Sequence, residues 1–442
     1  MPDKPVHLPD LVIPVFGFYF NVLTMIRKFF IIIQFAMQFA EGNAQSIAKF
    51  DVDVSRETND VDIPVTISLT QFHIVAGTNF MLTQLIDKKM SVAVPFQADK
   101  EKNTITFIIT RDKKSSAPKL QYELVRPVSK KDTKNFASIG AEDKDGSLTI
   151  HEGKKNLLRY VYKTTYPAAG LDTAFKRSGY IHPLWTPHGQ ELTRIQPPDH
   201  HHHYGIWNPW THVLFEGDTV DFWNIGGKQG TVRFAKFISK TDGPVYSEFK
   251  ALHEHVVFKK DGGEKIALNE IQTVRVYKPS GDDYFIVDIT SDMKCASASP
   301  FHIVAYRYAG LGWRATEFWD KDNSEMLTSE GKTRDNTDGS KARWCIVYGS
   351  LPANDEGGAV MLSYPENYNH PEPLRIWDKK ANNGRGDVFA NFAPTKDKDW
   401  ILEPGKTYTL KYRFVVFNGK FDAAKAESAW QYFAKQPEVT KE

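Results

Sequence analysis

The sequence predicts an all-β protein: a large antiparallel β-sandwich preceded by a small N-terminal β-domain. Three observations predict it. From Asp51 onward, apolar and polar residues alternate with period two in successive runs of strand length, as expected for strands with one buried face. Polar turns separate the runs, and only Ala423–Ala434 reads as a helix. Aromatic residues make up 13% of the chain, with ten Trp and eighteen Tyr, a load that suits sheets with aromatic faces and also the binding of sugars.

The first 44 residues differ from everything after them. Leu11–Leu23 is mostly apolar, Arg27-Lys28 follows, and Phe29–Phe39 is apolar but interrupted by Gln34 and Gln38. The second apolar run is short for a membrane span. With a basic Arg27-Lys28 before it and Gly42 and Ala44 behind it, it matches a signal peptide cleaved after Ala44. This reading makes Met25 the start and residues 1–24 an upstream extension, and it places the protein in the periplasm or outside the cell. The rival is one uncleaved anchor from Leu11 to Phe39.

Val61–Leu69, Ser91–Phe96, Thr104–Thr110 and Leu120–Val125 then describe the small β-domain, residues 46–127. A Lys-rich linker, Lys130–Lys134, leads to the large domain, residues 144–442. Its expected strands are Ser147–His151, Leu157–Lys163, Val232–Ile238, Val245–His253, Glu264–Tyr277, Tyr284–Ser291, His302–Tyr308, Trp344–Tyr348, Ala359–Tyr364 and Tyr408–Val416. Long strands with no helices between them favour an antiparallel sandwich, and the length favours an extended one. Charged residues are 25% of the chain and the formal net charge is +2, which argues against a nucleic-acid partner. Cys295 and Cys345 are the two cysteines, and their spacing leaves a disulfide and two free thiols equally open.

Strand alternation fades between Lys176 and Asn224, where Pro, Gly and aromatic residues crowd and seven of the fourteen His fall. Rigid loop-rich segments on a β scaffold commonly carry sites. His200–His203 are four consecutive imidazoles behind Asp199. On an extended backbone His200 and His202 share one face, and His201 and His203 the other. Such imidazoles suit general acid/base work, since their ordinary pKa lies near neutrality. Alternatively His200, His202 and Asp199 are ligands for a divalent metal, or the tract is a polar cluster tying loops together. Tyr180, Trp207, Trp210 and Trp223 surround the tract, and Asn224 follows; aromatic faces stack on sugar rings while amides bond hydroxyls. Arg314, behind Gly310 and Gly312, is placed to grip an oxygen anion or hydroxyl. Asn367 and His370 lie in a turn-rich loop, Glu317 and Asp320 are carboxylate partners outside the tract, and Arg343-Trp344 reads as a structural ion pair.

Taken together, Tyr180-Ile181-His182-Pro183-Leu184, Thr186-Pro187, Gly189, Thr193, Pro198-Asp199-His200, His202-His203, Gly205, Trp207 and Trp210 resemble the bacterial family labelled methane oxygenase PmoA-like. Asp221–Asn224, Gly310-Leu311, Arg314, Arg343-Trp344 and Pro365–Asn367 extend the resemblance over Leu157–Gly419; the small domain lies outside it. The membrane methane monooxygenase subunit is a polytopic copper protein, whereas no spanning segment follows the leader here. The family occurs in saccharide-degrading bacteria, which implies a carbohydrate context. Its long sandwich is similar to the galactose-mutarotase-like supersandwich.

The leading expectation is therefore an exported carbohydrate-active enzyme: a hydrolase, lyase or epimerase on a modified sugar. His182, His200 and His203 supply acid/base chemistry, and Arg314 orients the substrate. Tyr180, Trp207, Trp210, Trp223, Asn224, Asn367 and His370 bind the saccharide. The alternatives are a metal-dependent enzyme and a carbohydrate-binding protein without turnover.

Overall fold

Strands with apolar residues at every second position bury one face and need a second sheet to cover it. The computed structural model, which describes residues 45–54, 61–86, 90–110, 117–127 and 136–442, contains that second sheet. The leader, the start at Met25 and the linker 130–134 lie outside the described residues.

One face of the sandwich is a nine-stranded sheet. From edge to edge it runs Lys341–Ala342, Glu372–Ile376, Phe389–Phe392, Gly312–Arg314, Ile206–Trp207, Tyr180–Leu184, Lys155–Val161, Ser147–Glu152 and Gly140–Lys144. The other is an eight-stranded sheet of longer strands: Gly230–Thr241, Tyr246–Phe258, Glu264–Tyr277, Tyr284–Cys295, Tyr408–Asn418, Asp355–Ser363, Trp344–Leu351 and Ser324–Thr328. The ladders within both sheets are antiparallel. Ile150, Leu158, Ile181, Ile206 and Trp313 from the first sheet meet Phe249, Val274, Ile289, Val347 and Phe414 from the second in one core. Each such side chain, fully buried, contributes roughly 1.5–3 kcal/mol. A four-stranded sheet (Asp218–Val220, Val213–Phe215, Phe301–Ile303, Trp400–Leu402) adds Val213, Phe301 and Leu402 to the same core.

The eight-stranded sheet is also apolar on part of its outer face. Phe414 and Val416 point into the sandwich, while Val415 and Phe417 point out and pack on Phe421, Ala426 and Phe433 of the helix Ala423–Ala434 and its approach. Asp422 caps that helix, its carboxylate accepting from the Lys425 N–H at 2.8 Å.

The small domain pairs a five-stranded sheet with a three-stranded one over Phe50, Val65, Phe107, Tyr122 and Leu124. Its strands include Gln45–Asp53, Ile63–Ser68, Thr104–Ile109 and Lys119–Arg126. Two C-terminal pieces join it: Tyr432 of the helix packs in its core, and strand Val439–Lys441 pairs with Gln45–Asp53. The sequence placed both in the large domain.

The expected strand His302–Tyr308 shortens to Phe301–Ile303, because beyond Val304 the backbone bonds irregularly, to His212 and Thr395 carbonyls. Cys295 and Cys345 are buried free thiols; burial pushes Cys345 up to about 12. Among the described residues, no helix is long and apolar enough to cross a membrane.

Candidate functional site

Register places the site. Ile181 pairs with Ile206, Ile206 with Trp313, Trp313 with Ala390, and Ala390 with Ile376. All five face the sandwich core, so their chain neighbours His182, Trp207, Arg314, Phe389 and Trp377 fall on the outer face of the nine-stranded sheet. Tyr180, Tyr204, Trp207, Trp223, Ile225 and Phe389 form a separate aromatic cluster there, with Tyr308 and Trp377 packed against it. Two glycines make room. A Cβ on Gly312, opposite Trp207, would lie 2.8 Å from the Trp223 ring; one on Gly205, at φ +56°, would lie 2.1 Å from the Ile181 carbonyl.

The His tract is not extended. Pro197-Pro198 opens two successive turns, the His200 N–H donating to the Pro197 carbonyl at 2.9 Å and the His203 N–H to the His200 carbonyl at 3.0 Å. The Ile195–Tyr204 bridge closes the loop. His200 and His202 meet as expected, but the expected pairing of His201 with His203 fails. The rings of His200, His202 and His203 converge, with centroids 4.7–5.3 Å apart. His201 turns away onto Phe175.

These three imidazoles wall an open cleft of about 590 Å³ that Trp223, Phe389, Trp377, Tyr308 and Asn224 also line. His200 is its half-exposed member. Its Nδ1 lies 2.9 Å from Asp199 Oδ2 and its ring 4.7 Å from Trp377, and Arg314 Nη2 donates to Asp199 Oδ1 at 3.0 Å from behind. Burial raises the Asp199 carboxyl, but the His200 hydrogen bond and the Arg314 charge outweigh it and hold the group well below the usual carboxylate range. Asp199 thus stays ionised and fixes His200 as the Nδ1–H tautomer, leaving Nε2 as the basic atom. Burial, and then the charge of His200, push His202 down to about 3. Burial pushes His203 well down as well, and its Nδ1 is buried without a hydrogen-bond partner.

The structure brings together His200, His202, His203, Trp223 and Asn224 from the expected set. Asn224 is held by Asp221 at 2.6 Å and the Tyr308 hydroxyl at 3.0 Å. The other expected residues do not line the cleft. His182 bonds Thr193 Oγ1 at 2.9 Å beside the Gly205 crossing, where burial and then the charge of Arg159 push it down to about 4. Tyr180 bonds Thr165 at 2.5 Å, and Trp207 lies sealed beneath His203 and Trp223. Trp210 is in the sandwich core against Trp400. Arg314, 1% exposed, is screened from the cleft by Trp377, whose ring lies 4.7 Å from its guanidinium. It bonds Asp199 and does not line the cleft.

Asn367 and His370 belong elsewhere. Asn367 donates to buried Glu372 at 2.8 Å, and His370 bonds Ser363, which donates to the same carboxylate; burial pushes Glu372 up to about 7. Glu317 is exposed and Asp320 caps its own turn. Arg343 and Trp344 both bond Glu427 of the helix, at 3.0 and 2.8 Å. The metal reading finds no ligand set: among the described residues no three His, Cys, Asp or Glu side chains are placed to hold an ion, and His200 Nδ1 is taken by Asp199. Trp377, Phe389, Arg307, Tyr308 and Arg375 were not foreseen. The Arg375-Ile376-Trp377 alternation, with apolar Ile376 between two outward residues, was the available signal.

Fold and site define a β-sandwich protein with an aromatic, His-walled cleft on the solvent face of its nine-stranded sheet. The chain belongs to DUF6807, a family of unknown function, which matches residues 147–431. No curated protein matches it in sequence. Among solved structures it is similar to heparan sulfate lyase HepC from Pedobacter heparinus, at 10% identity and a TM-score of 0.29, covering 65% of this chain and 37% of that one. It is also similar to an alpha-mannosidase from Enterococcus faecalis V583, at 7% identity and a TM-score of 0.40, covering 90% and 47%. A galactose mutarotase related enzyme from Lactobacillus acidophilus is similar at 9% identity and a TM-score of 0.26, covering 62% and 96%. The chain thus spans less than half the length of the lyase and the mannosidase.

Proposed function

We propose that the protein is an exported carbohydrate-active enzyme in which His200, oriented by Asp199, is the general acid/base. One observation carries the reading: an imidazole fixed at Nδ1 by an ionised carboxylate stands in an open cleft walled by Trp377, Trp223 and Phe389. Rings of this kind cover the apolar face of a sugar, while Asn224 and the Tyr308 hydroxyl meet its hydroxyl groups. Nε2 takes a proton from the reacting sugar or its attacking water, and the Asp199 charge stabilises the imidazolium that forms. Arg314 acts through Asp199 as a positioning residue. A hydrolase, a lyase and an epimerase on a modified sugar all fit this arrangement.

The leader pattern supports export. Asp199, His200, His202 and His203 also carry the resemblance to the PmoA-like family, so the proposal extends to that family a carbohydrate chemistry in place of oxygenation. The test screens the mature protein against glycan libraries for turnover, and reads binding through the fluorescence of Trp223 and Trp377. His200→Ala is expected to lower turnover about 10²–10⁴-fold with binding retained, and Asp199→Asn by a smaller factor. Full activity in His200→Ala would refute the assignment. Saccharide binding with no turnover in any variant would make the protein a lectin-like binder.

A further inference from the structure

One corner of the cleft holds more positive charge than its carboxylates neutralise. Arg375 Nη1 pairs with Asp338 Oδ2 at 2.7 Å, and Lys396 Nζ reaches the other oxygen of the same carboxylate at 3.3 Å. Lys396 also donates to the Arg307 carbonyl at 3.1 Å, which brings the backbone of a third cation to this corner. The Arg307 guanidinium rests against Tyr306 and Tyr308, 5.5 and 5.4 Å from their ring centroids. Among the described residues it has no carboxylate within ion-pair distance. Two cations thus share the Asp338 carboxylate while Arg307 stands unpaired beside them, and Arg307, Arg375 and Asp338 all line the cleft.

The cleft's other carboxylates do not restore the balance. Asp335 and Asp378 act on Arg334, which is buried under the cleft wall and bonds backbone carbonyls and Ser324 without a carboxylate. Burial lowers that guanidinium, and Glu325, Asp335, Asp378 and Asp387 act against the lowering. Arg375 Nε is moreover buried with no hydrogen-bond partner. A planar guanidinium held on aromatic faces, with its donors unspent, is built for an oxygen anion.

We infer that this corner, Arg307 with Arg375, holds an anionic substituent of the saccharide, a carboxylate or a sulfate. The inference rests on the saccharide reading of the cleft and narrows its substrate class to acidic sugars. It makes Arg307 a specificity-determining residue: it binds the substituent while His200, across the cleft, faces the reacting centre.

Calorimetry on the full chain would compare matched pairs: uronate oligosaccharides with their carboxyl-reduced forms, and sulfated oligosaccharides with their desulfated forms. The charged member of one series is expected to bind roughly tenfold to a hundredfold more tightly than its neutral partner. The series that responds tells carboxylate from sulfate. Arg307→Ala is expected to erase that difference, and Arg307→Lys to restore part of it. Equal binding of charged and neutral partners, or a charged preference that survives Arg307→Ala, overturns the inference and leaves the saccharide reading standing. Binding of neither series overturns both.

Discussion

Burial sets the protonation of the tract before any ligand arrives. His202 is pushed down to about 3 and His203 well below its ordinary value, so both are neutral across the physiological range. Half-exposed His200 sits on an anchored carboxylate and is the member suited to proton transfer. Stability follows from the same shifts. A His whose folded pKa lies below its unfolded value contributes stability that is present above pH 6.5 and lost as pH falls through the folded value. For His182 and His202 that window runs from 6.5 down to about 4 and about 3. Thermal melts are expected to drop over this range, by on the order of 1–3 kcal/mol per residue. His202→Asn is expected to flatten the acid limb, and an unchanged limb would mean that His202 is solvated. At this scale the sequence was legible in part. It marked Asp199 and the imidazoles. It could not show that Arg314 faces Asp199 from behind Trp377, because that depends on which side of a two-residue overlap the guanidinium leaves the sheet.

Two of the elements that carry the site are among the shortest described strands. Ile206–Trp207 and Gly312–Arg314 are two and three residues long, too brief for alternation to register, whereas in the opposite sheet Glu264–Tyr277 was read in full and Tyr246–Phe258 and Tyr284–Cys295 over their first eight residues. Expecting the His tract to be extended gave it the wrong faces. Pro197-Pro198 and the turn bonds that follow override extension, and they bring His203 round to His200 and His202, where a strand would have turned it to the other face. Gly312 tests how finely these short strands are fitted. Gly312→Ala puts a methyl 2.8 Å from the Trp223 ring, and such overpacking costs about 1–3 kcal/mol. The expected result is a lower melting temperature together with weakened saccharide binding. A variant that melts early yet binds normally would show that Trp223 shifts without disturbing the cleft.

Across the whole molecule, the all-β sandwich and the small leading domain were legible because alternation repeats over hundreds of residues. What composition could not reveal was the meeting of distant segments. The cleft draws one wall from 200–224 and another from 335–389, and no local pattern ties the two together. The same holds for the joint between domains, where the helix contributes Tyr432 to the small core and the chain then runs on into a ladder with Gln45–Asp53.

That ladder has a consequence for biosynthesis. Gln45–Asp53 emerges from the ribosome before the strand that covers its free side, Val439–Lys441, which follows every other described strand. Until that strand is made, one rim of the early sheet stands open, and an open rim readily recruits strands from other nascent chains. Trimming residues 439–442 is accordingly expected to lower the soluble yield well before it lowers specific activity, a divergence that size-exclusion profiles of the trimmed and intact chains would reveal.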